Sequence, residues 1–150
     1  MNDDYLAGFI DGEGCFSITK FRSGDYPRTG RFPYWRVVLV IGNSNRVILE
    51  EIRDYLCSGW ITTHHLPGKP NSKTAYLLQI TGKRALDPIL RRLIPKLRVK
   101  RAVAQVLLEF LSGVKTKGGQ AHLPARENAR RERLVLQVRK LNHRGLSQPM

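Results

Sequence analysis

The 150-residue sequence predicts an α+β fold in which a four-stranded antiparallel sheet carries helices on one face. Two observations support this class. Segments with alternating apolar and polar residues occur in two pairs, and each pair is joined by a loop, as in β-hairpins. A segment with helical spacing of apolar residues precedes each hairpin and others follow the second. The resulting order is α-β-β-α-β-β-α with additional C-terminal helices.

The first predicted helix is a short apolar run over residues 6–14 that ends in a glycine-bracketed turn. Gly12 and Gly14 suit a helix end that needs backbone angles other residues resist. Gly8 and Gly12 share one helical face, where the missing side chains allow a second backbone to approach closely. Three polar residues can cap the start by accepting hydrogen bonds from free amides, namely Asn2, Asp3 and Asp4.

Two carboxylates, Asp11 and Glu13, lie at the C-terminal end of this predicted helix. The partial negative charge of a helix C-terminus makes each unfavourable there by about 0.3–1 kcal/mol. A bound cation, or the N-terminus of another helix, would reverse that effect. We therefore expect one of these beside the two acids.

The two hairpins follow in order. The first pairs residues 15–22 with 34–41 around a basic loop over 23–33, and the second pairs 60–66 with 74–81. A helix over residues 46–57 lies between them. Helices joining sequential hairpins are expected to cover one sheet face and leave the other bare.

Three further helices are predicted after the hairpins. Asp87 and Pro88 suit a cap and a first helical residue, and Pro95 ends that helix. An amphipathic helix over 98–112 has an apolar stripe of Val99, Val103, Val106, Leu107, Phe110 and Leu111. A basic helix covers 125–142. We expect one domain over residues 1–150, with a core over 1–112 and a loop, helix and tail over 113–150.

Charge and composition narrow the class of protein. The net charge of +14, from 26 basic and 12 acidic residues, is typical of a nucleic-acid-binding protein. A basic surface that serves solubility or binds an anionic membrane is the alternative. No apolar run approaches about 18 residues, so no membrane segment is predicted. Cys15 and Cys57 are expected to stay reduced and unbridged.

The bare face of the predicted sheet is the candidate nucleic-acid surface. Its polar, basic and small apolar side chains suit base edges and thymine methyl groups, although the solvated side of a sheet looks similar. Alternation places eight residues there: Ser17, Thr19, Arg36, Val38, Thr62, His64, Leu77 and Gln79. Arg22, Arg31 and Tyr34, in or beside the first hairpin loop, complete the predicted DNA contacts.

The run LAGFIDGEG over residues 6–14 resembles the signature of the LAGLIDADG homing endonucleases, and the chain carries it once. The predicted element order resembles the core of one unit of that family. The resemblance implies that Glu13, the second acid of the motif, and the Gly12 carbonyl hold a divalent metal. Mg²⁺ is the implied cofactor, and Ca²⁺ is expected to occupy the site without supporting efficient cleavage.

The resemblance also implies a homodimer. Two chains would pair through Ala7, Gly8, Asp11 and Gly12, because cutting both DNA strands needs two sites and one motif supplies one. Two sheets would then form a saddle over a long, roughly palindromic double-stranded target. Family patterns further suggest two catalytic residues. These are Asn43, which would orient water after the second strand, and Lys100, near the scissile phosphate, with Arg98 and Arg101 as rivals.

The sequence thus predicts an intron-encoded, Mg²⁺-dependent, site-specific DNA endonuclease. Two alternatives use the same fold. One is a maturase that binds RNA during intron splicing, and the other is a DNA-binding regulator without catalytic activity. We expect an intracellular protein, located wherever the host intron DNA lies, in an organelle or in bacterial or archaeal cytoplasm.

Overall fold

A computed structural model describes residues 1–21, 34–65, 68, 71, 73–114 and 124–143. The elements in chain order are α1 Asp3–Glu13, β1 Gly14–Phe21, β2 Tyr34–Asn43, α2 Arg46–Leu56, β3 Trp60–His64, β4 Ala75–Thr81, α3 Lys83–Leu93, α4 Arg101–Ser112 and α5 Ala125–Asn142. The α-β-β-α-β-β-α order followed by two further helices confirms the predicted fold class.

The four strands form one antiparallel sheet in the order β1-β2-β4-β3. The predicted hairpins are β1–β2 and β3–β4, and β2 and β4 join them at the centre of the sheet. Ends of the strands and of α2 lie within one or two residues of the predicted ones where they are described. The alternation was therefore sufficient to identify the strands and their hairpin partners.

One apolar core lies between the helices and one face of the sheet. It includes side chains from every helix and from β1, β2 and β4, among them Leu6, Ile10, Phe16, Leu39, Leu49, Leu78, Leu90, Phe110 and Val138. Burial of large apolar side chains stabilises such a core by roughly 1.5–3 kcal/mol each. No helix in the described part of the chain is long and apolar enough to cross a membrane.

The helix predicted to begin at Asp87 and Pro88 in fact begins at Lys83. Gly82, with φ 84°, turns the chain directly after β4, so Pro88 is the sixth helical residue and is exposed. Pro88 removes one hydrogen bond from the helix. The helix continues through it because Leu86, Ile89, Leu90 and Leu93 all enter the core.

The start of α4 differs from the prediction, whereas the start of α1 has one of the three predicted caps. Helix α4 begins at Arg101, so Val99 precedes the helix and is 76% exposed, whereas the other five residues of the predicted stripe are buried. Helix α1 begins at Asp3 after an Asn2 cap, whose Oδ1 accepts from the Tyr5 amide at 2.9 Å.

Neither glycine at the end of α1 has the unusual backbone angles that the sequence suggested. Gly12 is helical, and Gly14 is extended at φ −84°. Position 14 needs glycine because a larger residue would not fit there. An added Cβ would lie 2.8 Å from both the carbonyl oxygen and the Cγ2 of Ile10.

Candidate functional site

The candidate site lies where α1 enters β1. Glu13 is the last residue of α1, and Gly14 begins β1 opposite Ile41 of β2. Asn43 lies two residues beyond Ile41, at the same end of the sheet, and its Oδ1 accepts from the Asn45 amide at 2.8 Å. The Glu13 carboxylate is exposed and has no hydrogen bond or ion pair with any described residue.

The Lys100 ammonium lies against the end of α1. Its Nζ donates to the carbonyl oxygens of Ile10 at 3.0 Å and Asp11 at 2.8 Å. Of its two rivals, Arg101 donates to the carbonyls of Leu97 and Pro95 instead. Arg98 makes no side-chain contact with α1 in the described part of the chain. Lys100 is therefore the cation that the fold brings next to the motif.

The Asp11 carboxylate binds the segment that leads into α4, up to its N-cap residue Lys100. It accepts from the backbone amides of Arg98 at 2.8 Å, Val99 at 3.1 Å and Lys100 at 2.9 Å. Burial raises the pKa of this carboxyl, but the three amides, aided by the Lys100 charge, lower the pKa by more, so it lies below its ordinary value. The expectation that another helix N-terminus lies beside the motif acids is confirmed for Asp11.

One of the four predicted dimer-interface residues is corrected by its burial. Ala7 is only 1% exposed, because its side chain packs into the core of its own chain, so that side chain is not available to a partner. The Asp11 carboxylate accepts from the amides of residues 98–100 within the same chain and is partly exposed, and its place in a dimer interface stays a prediction.

Gly8 and Gly12 remain open on the outer side of α1. Both are exposed, and a Cβ added to either would meet nothing within 4 Å. Tyr5, which is 50% exposed, lies on the same side by helical spacing. We call these three residues the glycine face.

The strand register places all eight predicted residues on one side of the sheet, opposite the helices. Ser17 lies opposite Val38, Thr19 opposite Arg36, and Thr62 opposite Leu77. Gln79 lies opposite Val40 on one side and Trp60 on the other. His64 follows two residues after Thr62 and shares its side. We call this side the open sheet face.

Val38 lies on the open sheet face but is only 8% exposed. Its position in the central strand, between Ser17 of β1 and Thr81 of β4, leaves little of its side chain at the surface. The prediction that Val38 contacts a base is therefore not supported. Arg22 and Arg31 lie outside the described residues, as does the side chain of Tyr34, although Tyr34 itself begins β2.

Trp60 is a residue of the open sheet face that the sequence analysis missed. It is 42% exposed, and the Arg36 guanidinium lies 5.6 Å from the centre of its ring. Beside it, Gln79 Nε2 donates to Thr62 Oγ1 at 3.4 Å. Trp60 precedes Thr62 by two residues, so strand alternation could have identified it. Cys15 and Val40 share this side by the same parity.

The end of α1 offers ligands that fit a hard divalent cation. Mg²⁺ and Ca²⁺ take oxygen ligands, and Mg²⁺ commonly binds one or two carboxylates together with waters and substrate phosphates. Glu13 supplies an unpaired carboxylate, and Gly12 lies in the last turn, where helix carbonyls point outward. Among the described residues, no three His, Cys, Asp or Glu side chains converge. One chain therefore contributes one carboxylate here.

The sequence profile of the LAGLIDADG endonuclease family matches residues 6–91, starting at the first residue of the motif. The match covers more than half of the chain. The chain therefore belongs to the LAGLIDADG endonuclease family, and it carries the family motif once, as the sequence predicted. No curated protein matches the chain.

Several solved structures share this fold. The archaeal intron-encoded homing endonuclease I-Vdi141I, complexed with DNA, is 24% identical with a TM-score of 0.74, over 99% of this chain and 88% of that one. The homing endonuclease I-CvuI, in complex with its target in the presence of Ca, is 21% identical with a TM-score of 0.72, over 99% and 85%. The LAGLIDADG meganuclease I-AabMI, bound to uncleaved DNA, is 28% identical with a TM-score of 0.56, over 75% and 36%.

Proposed function

We propose that the protein is a site-specific homing endonuclease that makes a metal-dependent double-strand break in DNA as a homodimer. The main observation is the arrangement at the end of α1. There Glu13, a motif carboxylate without a partner among the described residues, ends the helix whose last carbonyls the Lys100 ammonium binds. Family membership and similarly folded proteins complexed with DNA support the proposal.

The open sheet face is the proposed DNA-binding surface. Its Arg36–Trp60 pair and its polar side chains can reach base edges in a groove. The net charge of +14 attracts the phosphate backbone. Ser17, Thr19, Thr62, His64, Leu77 and Gln79 are the further residues proposed to contact DNA on this face, and Arg22, Arg31 and Tyr34 are proposed as additional contacts.

A homodimer would supply the second active site. Cutting a duplex requires one site per strand, and each chain provides one Glu13. Pairing two copies through Gly8 and Gly12 would allow close backbone contact about a two-fold axis. A two-fold protein reads a roughly palindromic target. The chain spans most of the length of I-CvuI and I-Vdi141I but only 36% of the I-AabMI chain, which fits a unit that works in pairs.

The proposed reaction is hydrolysis of a phosphodiester bond. A bound Mg²⁺ supplies charge neutralisation and a more acidic water, and Glu13 with the Gly12 carbonyl would hold it. A water oxygen bonds to phosphorus and gives up a proton to solvent as the bond to the leaving sugar oxygen breaks, and the leaving oxygen takes up a proton from solvent. The Lys100 ammonium would stabilise the charge that develops on the phosphate, and the Asn43 amide would orient the water.

The test compares the wild-type protein with Glu13→Gln, which keeps the side-chain shape but removes the charge. Bound duplexes are selected from a random DNA library in Ca²⁺, and cleavage is then started with Mg²⁺. We expect both proteins to enrich one near-palindromic sequence and Glu13→Gln to cut it at least about a hundredfold more slowly. Cleavage by Glu13→Gln at the wild-type rate would overturn the proposed role of Glu13.

The same selection separates the alternative functions. If a sequence is enriched and neither protein cuts it, the protein is a regulator without catalytic activity. If binding is only general and salt-sensitive, an intron transcript becomes the ligand to test, as expected of a maturase. The endonuclease proposal places the protein inside the cell, together with the DNA of its host intron.

A further inference from the structure

The end of α1 and the segment directly before α4 are joined by hydrogen bonds of Asp11 and Lys100. The Asp11 carboxylate, near the end of α1, accepts from all three amides over residues 98–100. In the opposite direction, the Lys100 side chain donates to the carbonyls of Ile10 and Asp11 at the end of α1. Five hydrogen bonds thus join two chain segments that lie 87 to 90 residues apart in sequence.

The partial charges of both helix ends favour these hydrogen bonds. A helix N-terminus carries partial positive charge and a C-terminus partial negative charge. Asp11 places an anion at the start of α4, and Lys100 places a cation at the end of α1. An ammonium group has three N–H donors. Two of them bond α1 carbonyls, so one remains for an anion at the end of α1.

The stability of α4 alone does not explain why position 100 is a lysine. A Ser, Thr, Asn or Asp at position 100 would cap α4 locally. The chain instead has Lys100 at the N-cap, which makes no side-chain cap bond, and no acid lies in the first turn of α4. Asp11, in a distant segment, instead binds the amides of residues 98–100, and the side chain at position 100 reaches α1.

We propose that Asp11 is a positioning residue, whose carboxylate fixes residues 98–100 and thereby holds the Lys100 ammonium at the end of α1, the helix that ends at Glu13. This inference rests on the proposed function, in which Lys100 acts on the phosphate. Asp11 itself touches neither metal nor DNA in this scheme. Its effect on cleavage passes through Lys100, and that dependence can be measured.

The experiment is a double-mutant cycle between Asp11→Asn and Lys100→Met. The rate of a single turnover with saturating protein is measured in Mg²⁺, and the dissociation constant for DNA is measured in Ca²⁺. We expect Asp11→Asn to slow the single turnover by about tenfold or more, because small displacements of a catalytic group have large effects. The dissociation constant should change by less than about threefold. In the Lys100→Met background, Asp11→Asn should have no further effect on the rate.

The outcomes separate this inference from the proposed function. An equal slowing by Asp11→Asn in both backgrounds would overturn the positioning role and leave the role of Lys100 intact. Wild-type cleavage by Lys100→Met would overturn the catalytic role of Lys100 and this inference with it. If Glu13→Gln loses cleavage while Asp11→Asn and Lys100→Met keep it, the proposed endonuclease function is still supported and this inference fails.

Two controls distinguish positioning from general stability. Asn2→Ala removes the cap at the other end of α1, far from Lys100, and should lower the unfolding temperature without changing the single-turnover rate. In metal-free protein, the amides over residues 98–100 should exchange hydrogen faster in Asp11→Asn than in wild type. Unchanged exchange would contradict the proposal. If Asp11→Asn does not fold, Asp11→Ser, which keeps one acceptor, replaces it.

Discussion

At the scale of single residues, ionisation of the Asp11 carboxyl at the candidate site makes the stability of the fold depend on pH. It is held by three amides within its own chain, and its pKa lies below the ordinary value of 3.8. A carboxyl with a lowered pKa stabilises the folded state only while it is ionised. Its contribution is therefore fully present above pH 3.8 and is lost as pH falls through the lower, folded-state pKa.

Comparison of wild type with Asp11→Asn tests this linkage. The free energy of unfolding should be higher for wild type by about 0.5–2 kcal/mol at pH 6, as expected for a helix cap. The difference should shrink as pH falls below 3.8, because the neutral acid and the amide then have similar charge. Denaturant unfolding at several pH values measures it. A difference independent of pH would show that the ionised carboxylate is not the stabilising species.

At the scale of elements, helix α1 has two sides with different roles. Its inner side enters the core through Leu6, Ala7 and Ile10. Its outer side is the glycine face, where two positions lack side chains and an added Cβ would meet nothing within 4 Å among the described residues. A helix interior usually disfavours glycine by about 0.5–1 kcal/mol relative to alanine. Two exposed glycines in one short helix therefore indicate a surface reserved for close contact.

The change Gly8→Gln tests the glycine face as a dimer interface. The helix should form as well or better, because glutamine favours helices more than glycine does. We expect the dissociation constant of the dimer to rise at least about tenfold, since a long side chain would separate the two backbones. Analytical ultracentrifugation measures it, with circular dichroism to check folding. Ala129→Gln, on the exposed side of α5, is the control. Normal dimerisation of Gly8→Gln would exclude this interface.

At the scale of the whole molecule, charge and its placement have separate effects on DNA binding. The net charge of +14 predicts strong salt dependence, with a loss of about 10³–10⁵ in affinity between 50 and 200 mM salt if six to ten phosphates are contacted. The placement of charge decides which face the DNA occupies. Two single-charge variants can distinguish net charge from placement.

Arg36→Gln and Arg91→Gln each remove one positive charge per chain. Arg36 lies on the open sheet face, whereas Arg91 lies on α3 in an ion pair with Asp87. We expect only Arg36→Gln to weaken binding to the selected target. A lost phosphate contact would lower the salt dependence of binding, and a lost base contact would relax the base preference. Titrations at several salt concentrations measure both effects. Equal effects of the two variants would indicate that net charge alone drives binding.

Much of the fold followed from patterns within short segments. Strand alternation identified both hairpins and assigned residues to the open sheet face, because parity along a strand fixes the side on which each residue lies. The same alternation also assigns Trp60 to the open sheet face. Prediction failed where the surroundings overrode a local rule. Pro88 lies inside α3 because the core holds that helix, and Val38 is covered by its neighbours.

The sequence by itself determined the family and the element order and made Glu13 the predicted metal ligand, because a nine-residue motif and short-range periodicity carry that information. Only the tertiary structure decided how the site is assembled. It showed that Asp11 accepts from the amides of residues 98–100, and that, among the described residues, it is the Lys100 side chain rather than that of Arg98 or Arg101 that hydrogen-bonds α1 carbonyls. These contacts join segments about ninety residues apart, and their geometry depends on how the helices pack over the sheet.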